Sequence, residues 1–235
     1  RSNVAQQLND ESADQTFSVT DGKVSAVAVS NNATAFCAVG KGVKSAWVQS
    51  GNRYEQLTLD SYFPKSNISG APLPFGYCFF SADASHLILV GTDKQVTVQI
   101  YEISENGANL KLQQEMLDPE MGLFRADAVA LMRDDSDLLI AYNNECRAFP
   151  IQWTAEGVTI EPRNGRVQDK VYPRLRGLDN GDSRFGPGRL ALSPDGSILA
   201  LVSGSRLIVL PKDPDSGGGH FPYLGPEQIG DINEL

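Results

Sequence analysis

The chain has 235 residues, 41% of them hydrophobic, with a net charge of −9 and a pI near 4.7. That length admits one large or two small domains with a packed core. The acidic balance disfavours nonspecific binding to nucleic-acid phosphates or anionic lipid.

No apolar run approaches the roughly 18 residues that a membrane span needs, so no membrane insertion is expected. The opening stretch, RSNVAQQLNDESADQT, is polar and lacks a signal peptide's apolar centre. The chain does not start with Met and is read as a processed product or a portion of a longer protein. Residues 1–16 are assigned to a polar N-terminal segment, 17–213 to a repeating region and 214–235 to a tail rich in Pro, Gly and acid.

The first repeat, near 24–59, opens with VSAVAVSNNATAFCAVGKGVKSAWVQ and is expected to end in a fourth strand at Tyr54–Leu59. The second, near 76–116, reads GYCFFSADASHLILVGTDKQVTVQIYEI, with a fourth strand at Leu110–Glu115. The third, near 126–161, reads ADAVALMRDDSDLLIAYNNECRAFPIQW, with a fourth strand at Val158–Glu161. The last, near 188–213, reads GRLALSPDGSILALVSGSRLIVLPKD, and no fourth strand is evident after Leu210. Each copy has an apolar strand, a polar turn, a second strand apolar at nearly every position, a short break and a more mixed third strand. The turns carry Asn, Asp, Ser or Gly, which bond their own backbone or tolerate positive φ. Ser30, Ser81, Arg133 and Ser193 are read as the turn openers, 51, 52 and 60 residues apart. A second strand apolar on both faces, such as Leu87-Ile88-Leu89-Val90, belongs between two layers.

Four-stranded antiparallel units repeated at this period are the blades of a β-propeller. On LALSPDGSILALVSGSRLIVL above all, the chain resembles the WD40-like propeller family. It departs from the signature: Ala46-Trp47-Val48, Tyr101-Glu102 and Gln152-Trp153 stand where a Trp-Asp pair would end the third strand. His86 and His220 do not precede a first strand, so the family's Asp-His-Ser-Trp hydrogen-bond network is not expected. The expected fold is therefore all-β, with four blades visible out of a ring of about six to eight, and a β-sandwich or a pair of small sheets as the runner-up. An open arc would expose sheet faces at both ends, which is costly in water. The remaining blades are expected from the rest of a longer chain or from a partner subunit.

No catalytic or cofactor constellation is found, and no cofactor or small-molecule substrate is expected. Two His and three separated Cys (Cys37, Cys78, Cys146) do not make a metal cluster. The cysteines read as buried free thiols, which favours a reducing compartment in the cytoplasm or nucleus. The sequons at Asn32 and Asn67 carry little weight for the alternative, secretion. Asp134-Asp135-Ser136-Asp137 reads as turn chemistry, and GKGVKS at Gly40–Ser45 lacks the full phosphate-loop spacing. Trp47, Trp153, Phe79, Phe80, Tyr101 and Phe149 read as packing between blades. SYFPKSNISGAPLPFG, Ser61 to Gly76, is expected to be ordered against the propeller, with a docking loop as the alternative.

The interval Arg163–Arg189 holds seven basic residues against three acids. Arg163, Arg166, Lys170, Arg174 and Arg176 cluster around Tyr172 and form the candidate interaction loop, for RNA or an acidic protein segment. The resemblance implies a non-enzymatic scaffold that binds protein subunits of a multi-subunit intracellular complex. The basic loop tilts this toward an RNA-containing assembly such as ribosome-biogenesis machinery. The alternatives are a lactonase-like propeller hydrolase, with its site in the central channel, and a nucleic-acid-binding module built on Arg163–Arg176. Lys23, Phe75, Arg125 and Gly188, just before the first strands, do not supply the ring of carboxylates a hydrolase would need.

Overall fold

The structure is a computed structural model. It describes residues 17, 19, 22–65, 70–92, 95–104, 107–118, 122–123, 126, 128–132, 134–142, 145–160, 171–172, 187–193, 198–203, 206–211 and 229–231. Among them every regular element is a β-strand. Strands β1 (Lys23–Val29), β2 (Ala35–Lys41), β3 (Val43–Ser50) and β4 (Arg53–Leu57) form one antiparallel sheet in chain order. Strands β5 (Phe75–Phe80), β6 (His86–Gly91), β7 (Thr97–Ser104) and β8 (Gly107–Glu115) form the second. A two-residue pair, β9 (Leu117–Asp118) and β10 (Gly122–Leu123), intervenes. The third sheet has β11 (Ala128–Leu131), β12 (Asp137–Tyr142), β13 (Glu145–Thr154) and β14 (Gly157–Ile160), with β15 (Val171–Tyr172) also on β13. The fourth has β16 (Pro187–Leu192), β17 (Ile198–Ser203), β18 (Arg206–Pro211) and β19 (Ile229–Asp231). The first strands lie innermost: β1 packs on β5, and β11 on β16.

The continuous apolar runs of the second strands are explained by two-sided burial. On β6, Leu87 and Leu89 face the first sheet, while Ile88 and Val90 face the third. All four are fully buried. The seam between the second and third sheets joins Val98 and Ile100 to Leu138, Ile140, Phe149 and Ile151. The seam between the first and second joins Cys37, Val39 and Ala46 to Phe75, Cys78 and Tyr101.

The four copies share details finer than strand order. The N–H of Ser30 donates to Ala35 O at 2.8 Å, and those of Ser81, Met132 and Ser193 donate to His86, Asp137 and Ile198 O at 2.9 Å. The third residue after the opener lies in the left-handed region at Ala33 (φ 57°), Ala84 (φ 62°) and Asp135 (φ 56°). In the fourth copy the sequence puts Gly196 there. The serine hydroxyls of Ser30, Ser81 and Ser193 each accept a 2.9 Å bond from the backbone N–H of the residue that starts the second strand. Six residues before the opener, β1, β5 and β16 each carry a register shift, at Val24/Ala26, Phe75/Tyr77 and Pro187/Arg189. The bulge pins the register and bends the innermost strand at the same place in each blade.

Three expectations change. The third turn opens at Met132, not Arg133, because Met132 makes the closing hydrogen bonds; the openers are then 51, 51 and 61 residues apart. Methionine has no hydroxyl to mark the place, which is why the turn's polar run misleads by one residue. The fourth sheet has a fourth strand after all: β19 pairs Ile229 with Ile208 and Asp231 with Arg206, within the segment read as a tail. It is three residues long and separated from β18 by a Gly- and Pro-rich stretch, so it gives no periodic signal. The outer edge of the third sheet is split. β14 covers Ile151–Thr154 of β13, and β15 covers Cys146 and Arg147. Ten residues separate Ile160 from Val171 along the chain, against three between their partners Ile151 and Arg147, so the outer edge carries an insertion.

Candidate functional site

The outward face of the first sheet is the most unusual surface. Val27 pairs with Ala38, and Val29 with Phe36, which pairs in turn with Trp47. These residues therefore share one face, opposite the seam with the second sheet. Phe17 covers its outer half, with ring centroids 4.5 Å from Phe36, 5.5 Å from Trp47 and 5.9 Å from Tyr54. The inner half stays open, with Val27 70% and Val29 66% exposed. At the other end of the arc, Ala200 pairs with Ala191 and Val209, so these residues and Ile198 share a face. There Ile198 is 41% and Val209 40% exposed. Among the described residues, only Val24, Leu110 and Trp153 are other exposed large hydrophobics.

Where three innermost strands converge lies an open concavity of about 380 Å³. Val27, Val29, Phe79, Phe80, Leu131 and Met132 make its apolar wall, and Asn31 and Asp135 its rim. The rim is tied from blade to blade: Asn31 Nδ2 donates to Ala82 O at 3.2 Å, and Ala82 N donates to Asp135 Oδ2 at 2.7 Å. Burial pushes the Asp135 carboxyl up, although the Ala82 N–H opposes the shift. Asp135 is the one carboxylate among the described lining residues.

The structure brings together a polar cluster around a buried lysine that sequence reading missed. Lys44 Nζ donates to Asp60 Oδ1 at 2.9 Å, Tyr62 O at 2.8 Å, Gln99 Oε1 at 3.3 Å and Tyr101 Oη at 3.1 Å. The Tyr101 hydroxyl donates to Asp60 Oδ2. The Phe63, Phe75 and Tyr101 rings surround the ammonium at 5.5–5.7 Å. The Lys44 side chain is only 2% exposed. Burial pulls the Lys44 ammonium down, and the Asp60 carboxylate partly restores it. Burial also opposes ionisation of Asp60, but bonds from Tyr101, Lys44 and the Tyr62 N–H outweigh it and hold Asp60 below the usual carboxylate range. Burial and Asp60 together raise the Tyr101 phenol. The cluster fastens the segment after β4 to the second sheet, with Phe63, Pro64 and Leu73 packed inward, so the described part of this segment is ordered against the propeller. Its signal was a lysine inside a strand between Val43 and Trp47, two of the best-buried positions of the first sheet. That is where GKGVKS lies, in the β2–β3 hairpin.

The other candidates sort as follows. Arg163, Arg166, Lys170, Arg174 and Arg176 lie outside the described residues; of Tyr172 the structure gives the backbone, paired with Cys146. Cys37 and Cys78 are free and buried, and the Cys37 thiol is raised by its bond with Cys78 and by burial. Asp134 and Asp135 act in their turn, Asp134 Oδ1 accepting from Ser136 N at 3.2 Å. Asn32 Oδ1 is likewise a turn acceptor, for Ser30 Oγ at 2.8 Å and Thr34 Oγ1 at 2.7 Å. Tyr101 and Phe149 pack between blades, whereas Trp47 lies on the outward face of the first and Trp153 is 36% exposed. No group of His, Cys, Asp or Glu suited to a metal occurs among the described residues, nor is any helix there long and apolar enough to cross a membrane.

No family model matches the chain, and no curated protein does. Solved structures do. The Cps50 (Swd1) β-propeller domain of Myceliophthora thermophila aligns over 89% of this chain and 61% of its own, with TM-score 0.54 and 14% identity. A protein from Lactobacillus plantarum aligns over 88% and 55%, with TM-score 0.56 and 17% identity. A protein from Bacteroides uniformis, proposed to be a 6-phosphogluconolactonase, aligns over 85% and 55%, with TM-score 0.53 and 11% identity. The chain thus spans 55–61% of the length of these structures. With its four-stranded blades, it has a β-propeller fold.

Proposed function

We propose that this chain is a non-enzymatic propeller scaffold, whose end faces receive further blades within a multi-subunit intracellular assembly. The observation that carries this reading is the exposure of Val27 and Val29 on a sheet whose opposite face is sealed. Blade seams inside the arc are built from apolar side chains on facing sheets, and these valines have the chemistry of half such a seam. The likeness to a Swd1 propeller domain fits protein binding, but at 14% identity it speaks for fold alone. The lactonase-like alternative draws on the Bacteroides protein. Against it stands the concavity's one described carboxylate, Asp135, which is already engaged by Ala82 N. An RNA contact through Arg163–Arg176 is a secondary part of the proposal. Reversing charge at Arg174 and Arg176 should abolish any salt-sensitive RNA binding and leave the end faces intact.

The test is affinity capture from a native extract, with the wild-type chain and Val27→Glu/Val29→Glu in parallel. The expected result is a blade-bearing protein retained by the wild type and lost by the double variant. Identical retention by both would overturn the reading.

A further inference from the structure

A second surface lies away from the end faces. Between the second and third blades, a half-open groove of about 240 Å³ is lined by His86, Glu102, Lys111, Trp153 and Glu156, among others. Its floor is rigid. The His86 and Trp153 rings lie 4.5 Å apart, and Trp153 Nε1 donates to Asp135 O at 3.0 Å. Ser85 Oγ is 2.7 Å from both carboxylate oxygens of Asp83 and 2.7 Å from His86 Nδ1. With the hydroxyl proton shared by the carboxylate, the oxygen accepts from the ring in the Nδ1–H tautomer.

Its charges are placed by a strand irregularity. The register of β7 and β8 shifts between Ile100 and Tyr101, leaving Lys111 as the extra residue of a bulge. Bulges re-aim side chains, and here Lys111 Nζ meets Glu102 Oε2 at 2.8 Å. That pair is 40% and 43% exposed, so it is weak and readily exchanged. The groove thus offers an exposed indole and two carboxylates against one lysine. Burial, with the Lys111 charge, holds His86 below its usual range despite Asp83 and Glu102.

We propose that this groove docks an arginine side chain of a partner polypeptide, with the indole of Trp153 as its platform and Glu156 and Glu102 as counter-charges. Arginine fits better than lysine because a planar guanidinium stacks on an indole and bonds carboxylates with two donors at once. The net charge of −9 favours a basic partner by steering. This inference does not rest on the end-face reading, and either can fail alone.

The test is tryptophan emission of the intact chain. Trp47 is 5% exposed and Trp153 36%, so a ligand-dependent change reports the groove. The probes are acetyl-Gly-Arg-Gly-amide and the same peptide with citrulline, the uncharged isostere, in place of arginine. A saturable change with the arginine peptide alone is expected, weakened by added salt. Glu156→Gln should weaken binding about 3-fold, the scale of an exposed ion pair. Lys111→Gln should tighten it by a similar factor, because it releases Glu102. Equal responses to both peptides, no saturation, or weaker binding by Lys111→Gln would overturn the assignment.

Discussion

The two faces of the first sheet are made by the same strands and read alike in sequence, yet only one is closed. On the inner side, Cys37, Val39 and Ala46 are 0–1% exposed against the second sheet. On the outer side, Phe17 shields Phe36 and Trp47, while Val27 and Val29 face water. An apolar strand pattern records what a face covers when its partners are present. On the proposed function, the unsealed face of this blade is where a further blade packs. Fully burying a valine is worth roughly 1.5–3 kcal/mol, so the open valines leave that stabilisation unused.

The contrast can be broken from the sealed side first. Leu89→Ala, at a fully buried position of the first seam, should cost about 3 kcal/mol in urea unfolding. In chain dilute enough to be dissociated, Val27→Ala on the open face should shift the same transition by less than about 0.5 kcal/mol. Equal costs would mean that Val27 is covered in solution.

The polar lock comes next. Asp60→Asn leaves the buried Lys44 ammonium without its counter-charge, and because Asp60 itself is partly exposed should cost about 1–2 kcal/mol. Lys44→Met keeps the volume, removes the charge, and should cost less. The reverse order, by chemical denaturation, would mean that the ion pair is not what fastens this seam. The same lock predicts an acid dependence. Asp60 is held low in the folded state, and Asp83 is pulled down to about 2 by Ser81 and the Ser85 N–H. Their contribution is complete above the ordinary carboxylate pKa near 3.9 and is lost as pH falls through the folded values. Stability should therefore drop steeply below about pH 4, and less steeply in Asp83→Asn.

The smallest effect sharpens the repeat itself. Ala84 sits at φ 62°, where glycine would be at ease and where the fourth copy carries Gly196. Ala84→Gly should raise the melting temperature slightly, by up to about 1 kcal/mol of stability. A loss would mean that its methyl group packs.

Blade order, the second and third strands and the first three fourth strands were legible because alternation and two-sided burial leave their mark within a single segment. The turn at Met132 was misread by one residue because its opener lacks the serine hydroxyl that marks the other three. β19 escaped because a three-residue edge strand needs no pattern of its own; β18 supplies its partners. The Lys44–Asp60–Tyr101 cluster escaped for another reason. Its members are 16 and 41 positions apart, and only the packing of one blade on the next makes them neighbours. The groove at Trp153 was hidden by a sound rule, that strand aromatics are usually buried, which fails at the last residues of a strand that outruns its neighbour.

Light scattering of the purified chain, beside Val27→Glu/Val29→Glu, tests the central claim most directly. The account predicts that the wild type self-associates through its open faces, and that the double variant returns to the mass of a single chain with its melting temperature unchanged. A wild type that is already monodisperse at the mass of one chain, and unaffected by the two charges, would contradict it.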